Sequence, residues 1–203
     1  VDQGYHVIVP NQRGYGKSSQ PESVEAYDCY NLTSDHIALL DALSIDQAVF
    51  VGHDWGALVV WYQPLLNSDR VLGLANFSVP FLPRPPIDPV VLMEQANGPE
   101  FYIVHFNRQP GVAAAAFADN TRRFLSNIYR TNVWHDTDEN QPSAISIVDM
   151  ARIDVQRGDL MMSEEELDVF VSAFQHSGFE APCNWYRNFS RNWELTSGLE
   201  HRV

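Results

Sequence analysis

Basic residues are scarce in this sequence. Its 203 residues include 13 Lys and Arg against 26 Asp and Glu, which gives a formal net charge of −13 and a pI near 4.7. Nucleic acids and anionic membrane surfaces attract proteins with an excess of Lys and Arg. The charge therefore argues against both as partners of this chain.

Cysteine and long apolar runs are equally scarce. The two cysteines, Cys29 and Cys183, lie far apart and form no CxxC pair, so the sequence indicates neither a zinc site nor a disulfide scaffold. No apolar run approaches the roughly 18–20 residues of a membrane span, and the first residues show no signal-peptide pattern. We therefore expect a globular protein that is soluble, cytoplasmic and not bound to a membrane.

Apolar residues are nevertheless abundant enough for a core, since 45% of the residues are hydrophobic and 12% are aromatic. Three short apolar runs predict buried strands, at residues 6–9, 48–51 and 72–78. Helical patterns separate them, one over 31–46 with Thr33 or Ser34 as N-cap candidates and one directly after residue 54. Alternating strands and helices predict an α/β fold with a parallel sheet.

A proline-rich stretch ends this alternation. Five prolines fall within 80–89, a stretch that can continue neither a strand nor a helix. Beyond it the patterns are helical, notably over 110–129 and 163–178, where Ser163 and Glu166 fit a capping box. The predicted organisation is an α/β part at 1–79, an all-helical domain at 80–195 and a return segment at 196–203.

A sharp turn joins the second predicted strand to a helix at Gly52-His53-Asp54-Trp55-Gly56. Small residues two places on either side of Asp54 are typical of a nucleophile elbow, in which the backbone passes closely through a strained turn. Asp54 stays ionised at neutral pH and can attack carbon as a carboxylate nucleophile at the helix N-terminus. The alternative is that Asp54 only caps the following helix.

The same pentapeptide, GHDWG, resembles the elbow of the α/β-hydrolase fold in the branch whose nucleophile is Asp: epoxide hydrolases and haloalkane dehalogenases. GYHVIVPNQRGYGKSSQP at 4–21 resembles the strand and loop before the elbow, and RVLGLANFSVPFLPRPP at 70–86 resembles the strand that leads into the cap. The resemblance implies that 1–79 form part of an α/β-hydrolase parallel sheet. It also implies that 80–195 form an all-helical cap insertion.

Two tyrosines distinguish the branches. Soluble and plant-type epoxide hydrolases supply two phenols from the cap as proton donors to the epoxide oxygen. FYIVHFNRQPG resembles the first segment and points to Tyr102, with one inserted residue and Asn107 in place of Gln, while APCNWYRNFSRNWEL resembles the second and points to Tyr186. Haloalkane dehalogenases instead hold the leaving halide with Trp N–H groups, one of them directly after the nucleophile, and Trp55 fits that pattern too.

The resemblance implies a hydrolase that opens an epoxide to a vicinal diol. Asp54 would form an alkyl-ester intermediate, Tyr102 and Tyr186 would bind and protonate the oxygen, and the Trp55 backbone N–H would be an oxyanion donor. No metal or organic cofactor is implied, because carboxylate, phenols and water suffice; the partners are a small-molecule epoxide and water. A haloalkane dehalogenase and a non-catalytic truncated fragment or binding domain are the alternatives.

Two parts of the family's machinery have no match in the sequence. In the family, the His that activates the hydrolytic water and its orienting acid follow the cap, and a His-Gly-x-Pro loop precedes the first predicted strand. None of the seven histidines is expected to replace that base. We therefore expect an internal fragment with an incomplete sheet, whose long unpaired edge favours poor solubility or association with a partner.

Overall fold

The computed structural model describes residues 2–131, 146–154 and 158–199. Within these ranges the chain has two strands, β1 Ala48–His53 and β2 Val71–Phe77. Its α-helices in the same ranges are α1 Cys29–Ala42, α2 Trp55–Leu66, α3 Pro89–Asn97, α4 Tyr102–Arg108, α5 Val112–Asp119, α6 Thr121–Ile128, α7 Ile147–Met150, α8 Glu164–Ser177, α9 Glu180–Tyr186 and α10 Phe189–Leu195.

The two strands form a parallel sheet, with Ala48 aligned with Val71 at one end and His53 aligned with Phe77 at the other. A parallel pair needs a crossover connection, and α2 supplies it while packing against both strands and against α1. The predicted α/β class and the second and third predicted strands are therefore confirmed. The crossover places the carboxyl end of β1 directly before the N-terminus of α2.

The first predicted strand, at 6–9, was wrong. Within the described residues this segment joins no β-ladder, and Val7 and Val9 are 54% and 87% exposed. A short apolar run becomes a strand only where a neighbouring strand takes its hydrogen bonds, and β1 and β2 pair with each other instead. The apolar run alone could not reveal which strands would be its neighbours.

The start of α1 also differs from the prediction. Asp28, rather than Thr33 or Ser34, is the N-cap, because its carboxylate accepts a hydrogen bond from the Asn31 N–H at 2.9 Å. Thr33 lies inside the helix, where its hydroxyl donates to the Cys29 carbonyl at 2.7 Å. The apolar pattern began one turn after the helix itself, so it placed the cap too late.

Apolar side chains of the sheet are exposed on both strands. Val49 and Val51 on β1, and Leu72 and Phe77 on β2, are each more than half exposed. Within the described residues each strand pairs along one edge, so the other edge presents unpaired backbone groups. Such edges can bond to further strands. The expected association with a partner stays a prediction.

The segments after the proline-rich stretch are helical, as predicted. The helix expected over 110–129 is divided, because Asn120 leaves helical geometry at φ −145° and its side chain caps α6 through the Arg123 N–H at 2.9 Å. The capping box at α8 is confirmed, with Ser163 and Glu166 bonding to each other's backbone N–H groups. The domain limits proposed from the sequence stay a prediction.

Buried polar side chains of α9, α10 and the turn between them hydrogen-bond to the backbone of residues 13–29, which precede β1. The Trp185 Nε1–H donates to the Arg13 carbonyl at 3.1 Å, and the Asn188 amide donates to the Val24 carbonyl at 2.7 Å. The Asn192 side chain accepts from the Cys29 N–H at 2.8 Å. Because Trp185, Asn188 and Asn192 are all buried, their polar atoms need these partners, and the contacts fix the two helices in register.

Both cysteines are buried, Cys29 at the start of α1 and Cys183 on α9. Burial raises the pKa of each thiol to about 12, against roughly 8.5 in an unfolded chain. Above about pH 8.5 the thiols of the unfolded chain lose their protons while those of the folded chain keep them. The free energy of unfolding therefore falls as pH rises. Each thiol contributes a slope of about 1.4 kcal/mol per pH unit until its folded pKa is reached.

We expect urea unfolding to report this loss. Between about pH 9 and pH 10, where the unfolded thiols are mostly ionised, the two thiols together should lower the free energy of unfolding by roughly 2 kcal/mol. A Cys29→Ala/Cys183→Ala variant should lack that part of the slope, whatever its stability at neutral pH. Equal slopes in the two proteins would contradict the burial of the thiols.

Candidate active site

Asp54 occupies the turn between β1 and α2 with φ 53° and ψ −120°, a conformation that costs a non-glycine residue energy. The turn closes tightly at Gly52, where a Cβ would lie 2.4 Å from the Gly56 carbonyl oxygen. At Gly56 a Cβ would meet only Gln12 Nε2, at 3.9 Å, in the described part of the chain. The close approach of the backbone therefore requires glycine at position 52 but not at position 56. The prediction that small residues are needed on both sides of Asp54 is right for the first position and wrong for the second.

The Asp54 carboxylate lies at the N-terminus of α2 and is exposed. Its Oδ2 accepts a hydrogen bond from the Trp55 backbone N–H at 2.6 Å. Asp54 thus caps α2, as the alternative interpretation held. An ordinary N-cap residue has extended φ and ψ, however, so capping alone does not explain the positive φ. The strained turn presents the carboxylate beyond the end of the strand, which is what a nucleophile needs.

The structure brings the two predicted tyrosines together. Tyr102 is the first residue of α4 and Tyr186 the last of α9, and their ring centroids lie 5.6 Å apart at 77°. Asn107 connects the two helices, because its amide donates to the Ile103 carbonyl at 2.8 Å and to the Tyr186 carbonyl at 3.0 Å. Two phenols from distant parts of the sequence therefore share one site.

Trp55 lies between the elbow and these phenols. Its ring centroid is 5.0 Å from that of Tyr186, with the planes at 82°. Its backbone N–H contacts the Asp54 carboxylate, as described above. All four predicted site residues are thus within one region of the molecule, and their catalytic roles stay predictions.

The phenols are neutral donors in this setting. Burial raises the pKa of Tyr186 and of Tyr102, and the negative charge of Asp54 adds to both shifts. A raised pKa keeps each phenol protonated throughout the physiological range, because the ordinary tyrosine pKa is already about 10. The site therefore combines the Asp54 carboxylate with two hydroxyl groups that retain their protons.

Two further tyrosines, Tyr15 and Tyr129, interact electrostatically with Asp54, and the sequence interpretation missed both. Burial raises the pKa of each, with the Asp54 charge as an additional cause. The Tyr15 ring packs edge-to-face on Trp185 at 5.7 Å. An aromatic residue between two glycines after the first apolar run was a usable signal for Tyr15, whereas nothing in the sequence marks Tyr129.

Among the described residues, no histidine forms a hydrogen bond or ion pair with the Asp54 carboxylate. His53 is exposed at the end of β1, and His105, on α4, is buried with no hydrogen-bond partner for either ring nitrogen among those residues. His36 pairs with the Gln63 side chain at 3.1 Å. His135 and His201 lie outside the described residues.

A largely apolar cavity of about 420 Å³ lies between α2, the proline-rich stretch, α3 and α10. Its walls include Leu58, Trp61, Phe81, Leu82, Phe189 and Trp193. Leu58 is one helical turn after Asp54, and the Phe189 ring is 5.2 Å from that of Trp55. The cavity therefore comes close to the elbow in the fold, although Asp54, Trp55, Tyr102 and Tyr186 are not among its lining residues.

The described residues offer neither a metal site nor a membrane-spanning helix. Within residues 2–131, 146–154 and 158–199, no cluster of three or more His, Cys, Asp or Glu side chains could bind a metal ion. None of the helices in those ranges has the length and apolar character that crossing a bilayer requires.

Comparisons with known proteins agree with this geometry. The sequence model of the family described as alpha/beta hydrolase fold matches residues 1–140. Over 98% of its length the chain is 41% identical to epoxide hydrolase A of Mycobacterium tuberculosis and 36% identical to epoxide hydrolase 2 of Siraitia grosvenorii, covering 63% of each. The crystal structure of epoxide hydrolase A from Mycobacterium thermoresistibile matches with a TM-score of 0.82 at 40% identity, over 93% of this chain and 60% of that one. The chain thus spans less than two thirds of the length of these relatives.

Proposed function

The chain belongs to the alpha/beta hydrolase fold family, and on that premise we propose that it opens epoxides to vicinal diols through an ester on Asp54. One observation carries the proposal. Tyr102 and Tyr186, from different helices, meet with ring centroids 5.6 Å apart, and both interact electrostatically with Asp54. The epoxide hydrolases of Mycobacterium tuberculosis and Siraitia grosvenorii, to which the chain is similar, support the same reaction.

In the first half-reaction the Asp54 carboxylate attacks one carbon of the epoxide. Oδ2 accepts from the Trp55 N–H at 2.6 Å, so Oδ1 is the oxygen with lone pairs free to attack. The ring C–O bond breaks as the new ester bond forms, and the ring oxygen takes a proton from Tyr102 or Tyr186. Burial keeps both phenols protonated until that step.

In the second half-reaction water attacks the carbonyl carbon of the ester. Negative charge develops on the oxygen that the Trp55 N–H contacts, so this donor lies where the oxyanion forms. The bond between the carbonyl carbon and the alkyl oxygen then breaks, and the diol leaves with one oxygen that came from Asp54. Because no described histidine hydrogen-bonds to the Asp54 carboxylate, ester hydrolysis is the step to isolate experimentally.

The substrate class follows from the cavity. Its volume of about 420 Å³ lies within the range of small-molecule sites, roughly 300–1,000 Å³. We propose an epoxide with an alkyl or aryl substituent that packs against these apolar walls, which extend to Leu58, one helical turn after Asp54. We assign residues 80–195 to the cap, since they supply both phenols and most of the cavity wall.

Halide release is the less favoured reaction. A leaving halide departs as an anion and needs no proton, so a pair of protonated phenols beside Asp54 would have no use. The Trp55 side chain, which a dehalogenase would direct at the halide, packs edge-to-face on Tyr186, with ring centroids 5.0 Å apart. Chloride release from a chloroalkane without any reaction of epoxides would contradict the proposal.

A single-turnover experiment in heavy-oxygen water tests it. The chain, in molar excess, is incubated with styrene oxide in H₂¹⁸O, and the Asp54 peptide and the diol are analysed by mass spectrometry. Label in Asp54 with an unlabelled diol supports the ester mechanism, and so does a stable Asp54 adduct without release of diol. Label in the diol alone, or neither adduct nor diol, would reject it.

The tyrosine pair provides a further prediction. We expect Tyr102→Phe and Tyr186→Phe each to slow formation of the Asp54 ester by roughly 10- to 100-fold, and the double variant by about 10³-fold or more, because each phenol can partly replace the other as proton donor. Tyr30→Phe, at an exposed position on α1, is the matched control and should react at the wild-type rate. A double variant as fast as that control would exclude the phenols from the reaction.

A further inference from the structure

Tyr186 lies at the C-terminal end of α9, where its backbone carbonyl needs a partner. The last four carbonyls of an α-helix have no N–H partner within that helix, and Tyr186 is the final residue of α9. The side-chain amide of Asn107, on α4, donates to this carbonyl at 3.0 Å. The residue that carries one phenol is therefore attached to the helix that carries the other, Tyr102.

The Asn107 side chain can make this contact only as a donor. Its Nδ2 carries two N–H groups and donates to two carbonyl oxygens, that of Tyr186 and, at 2.8 Å, that of Ile103 on its own helix. A carbonyl oxygen accepts but does not donate, so a reversed amide would place its own oxygen against both. The two acceptors therefore fix the orientation of the amide between α4 and α9.

Phe106, the neighbour of Asn107, contacts the ring of Tyr186. The buried Phe106 ring has its centroid 5.1 Å from that of Tyr186 and 5.9 Å from that of Tyr102, edge-to-face in both cases. Tyr102 and Phe106 are four residues apart and lie on one face of α4. Helix α4 therefore carries one phenol and contacts the other residue at both its ring and its backbone.

Other bonds attach α9 to the rest of the chain without α4. Trp185 donates to the Arg13 carbonyl at 3.1 Å, and Asn188, just after α9, donates to the Val24 carbonyl at 2.7 Å. Loss of the Asn107 amide would leave these bonds in place and loosen α4 from α9. The change would therefore fall on the distance between the two phenols.

We propose that Asn107 is a positioning residue that sets the separation of the Tyr102 and Tyr186 hydroxyl groups during epoxide opening, an inference that rests on the proposed function. Asn107 acts through the Tyr186 backbone and takes no part in the proton transfer. The donating phenol must be in place as the C–O bond breaks, and a displacement of about 1 Å can cost roughly 100-fold in rate.

Asn107→Asp and Asn107→Leu both remove the N–H donors, the first with the same shape and the second without adding charge. We expect each to lower the maximal rate of Asp54 ester formation with styrene oxide by about 10- to 100-fold. Half-saturation should be nearly unchanged, because Asn107 is not one of the described residues that line the apolar cavity. Asn107→Gln should restore most of the rate, since it can donate to the same carbonyl.

Asn97→Asp is the matched control. Asn97 is the last residue of α3 and is exposed, and its amide donates to the carbonyl four residues earlier, that of Met93, at 3.1 Å. The variant loses the same kind of bond within a helix and should form the ester at the wild-type rate.

A measurement of structure accompanies the rates. In protein that is protonated only on its tyrosine rings, Tyr102 and Tyr186 should show a nuclear Overhauser effect between their rings, identified as the signal that Tyr102→Phe and Tyr186→Phe each remove. The effect should weaken in Asn107→Asp and Asn107→Leu and persist in Asn107→Gln and Asn97→Asp.

An unchanged rate, or an unchanged effect between the rings, in folded Asn107→Leu protein would overturn this inference and leave the proposed function intact. Failure of both donor-free variants to fold would also overturn it, because Asn107 would then serve the fold and not the phenol pair. Absence of any Asp54 ester in the wild-type chain would overturn the proposed function itself, so the two failures are distinguishable.

Discussion

Replacing Asp54 with Asn should abolish the chemistry and leave the fold in place. The amide has no anionic oxygen, so we expect formation of the ester with styrene oxide to fall on the order of 10⁴-fold or more. Asn tolerates positive φ as well as Asp does, and its amide oxygen can still accept from the Trp55 N–H. The free energy of unfolding should therefore change by less than about 1 kcal/mol.

The comparison is made by intact-mass spectrometry and urea unfolding on matched variants. Asp46→Asn removes the same charge from an exposed residue near the start of β1, whose backbone carbonyl accepts a hydrogen bond from Arg70. This control should form the ester at the wild-type rate. An Asp54→Asn protein that reacts as fast as the control would exclude Asp54 as the nucleophile.

Gly52→Ala should have the largest effect on stability. The added Cβ would lie 2.4 Å from the Gly56 carbonyl oxygen and 2.6 Å from the Ala57 nitrogen. Both are backbone atoms at the start of α2, and neither can rotate away as a flexible side chain can. We expect a loss of about 3 kcal/mol or more in the free energy of unfolding, with loss of ester formation on Asp54, because the turn must open to relieve the overlap.

Gly56→Ala is the matched control for that substitution. Its Cβ would have Gln12 Nε2 at 3.9 Å as the nearest atom, and alanine favours a helix over glycine by roughly 1 kcal/mol. The variant should unfold within about 1 kcal/mol of the wild type, or be slightly more stable. An equal loss in the free energy of unfolding for the two variants would contradict the claim that the turn at Asp54 depends on the absence of a Cβ at Gly52.

Local patterns predicted the elbow and the capped helix α8 because a few neighbouring residues determine each of them. A glycine two places before Asp54 is a steric requirement between adjacent turns of the chain, and the capping box of Ser163 and Glu166 spans four residues. The tyrosine assignments came from resemblance, since no local rule makes Tyr102 and Tyr186 meet.

Two further failures concern contacts between distant segments. Whether 6–9 becomes a strand depends on which strands are its neighbours, and composition carries no information on that. Tyr15 reaches the surroundings of Asp54 because its loop packs on Trp185, a residue 170 positions later in the chain. Tyr129 is similar, because its position follows from how α6 packs among the other helices.

The amide of Asn107 has a consequence for which epoxide carbon is attacked. By donating to both the Ile103 and the Tyr186 carbonyl it joins α4 to α9, the helices that carry Tyr102 and Tyr186. Under the proposed function, the spacing of the two phenols is then set by the protein and not by the substrate. We therefore expect the shape of the substituent to decide which epoxide carbon faces Asp54, with enantiomers of one oxirane opened at different carbons.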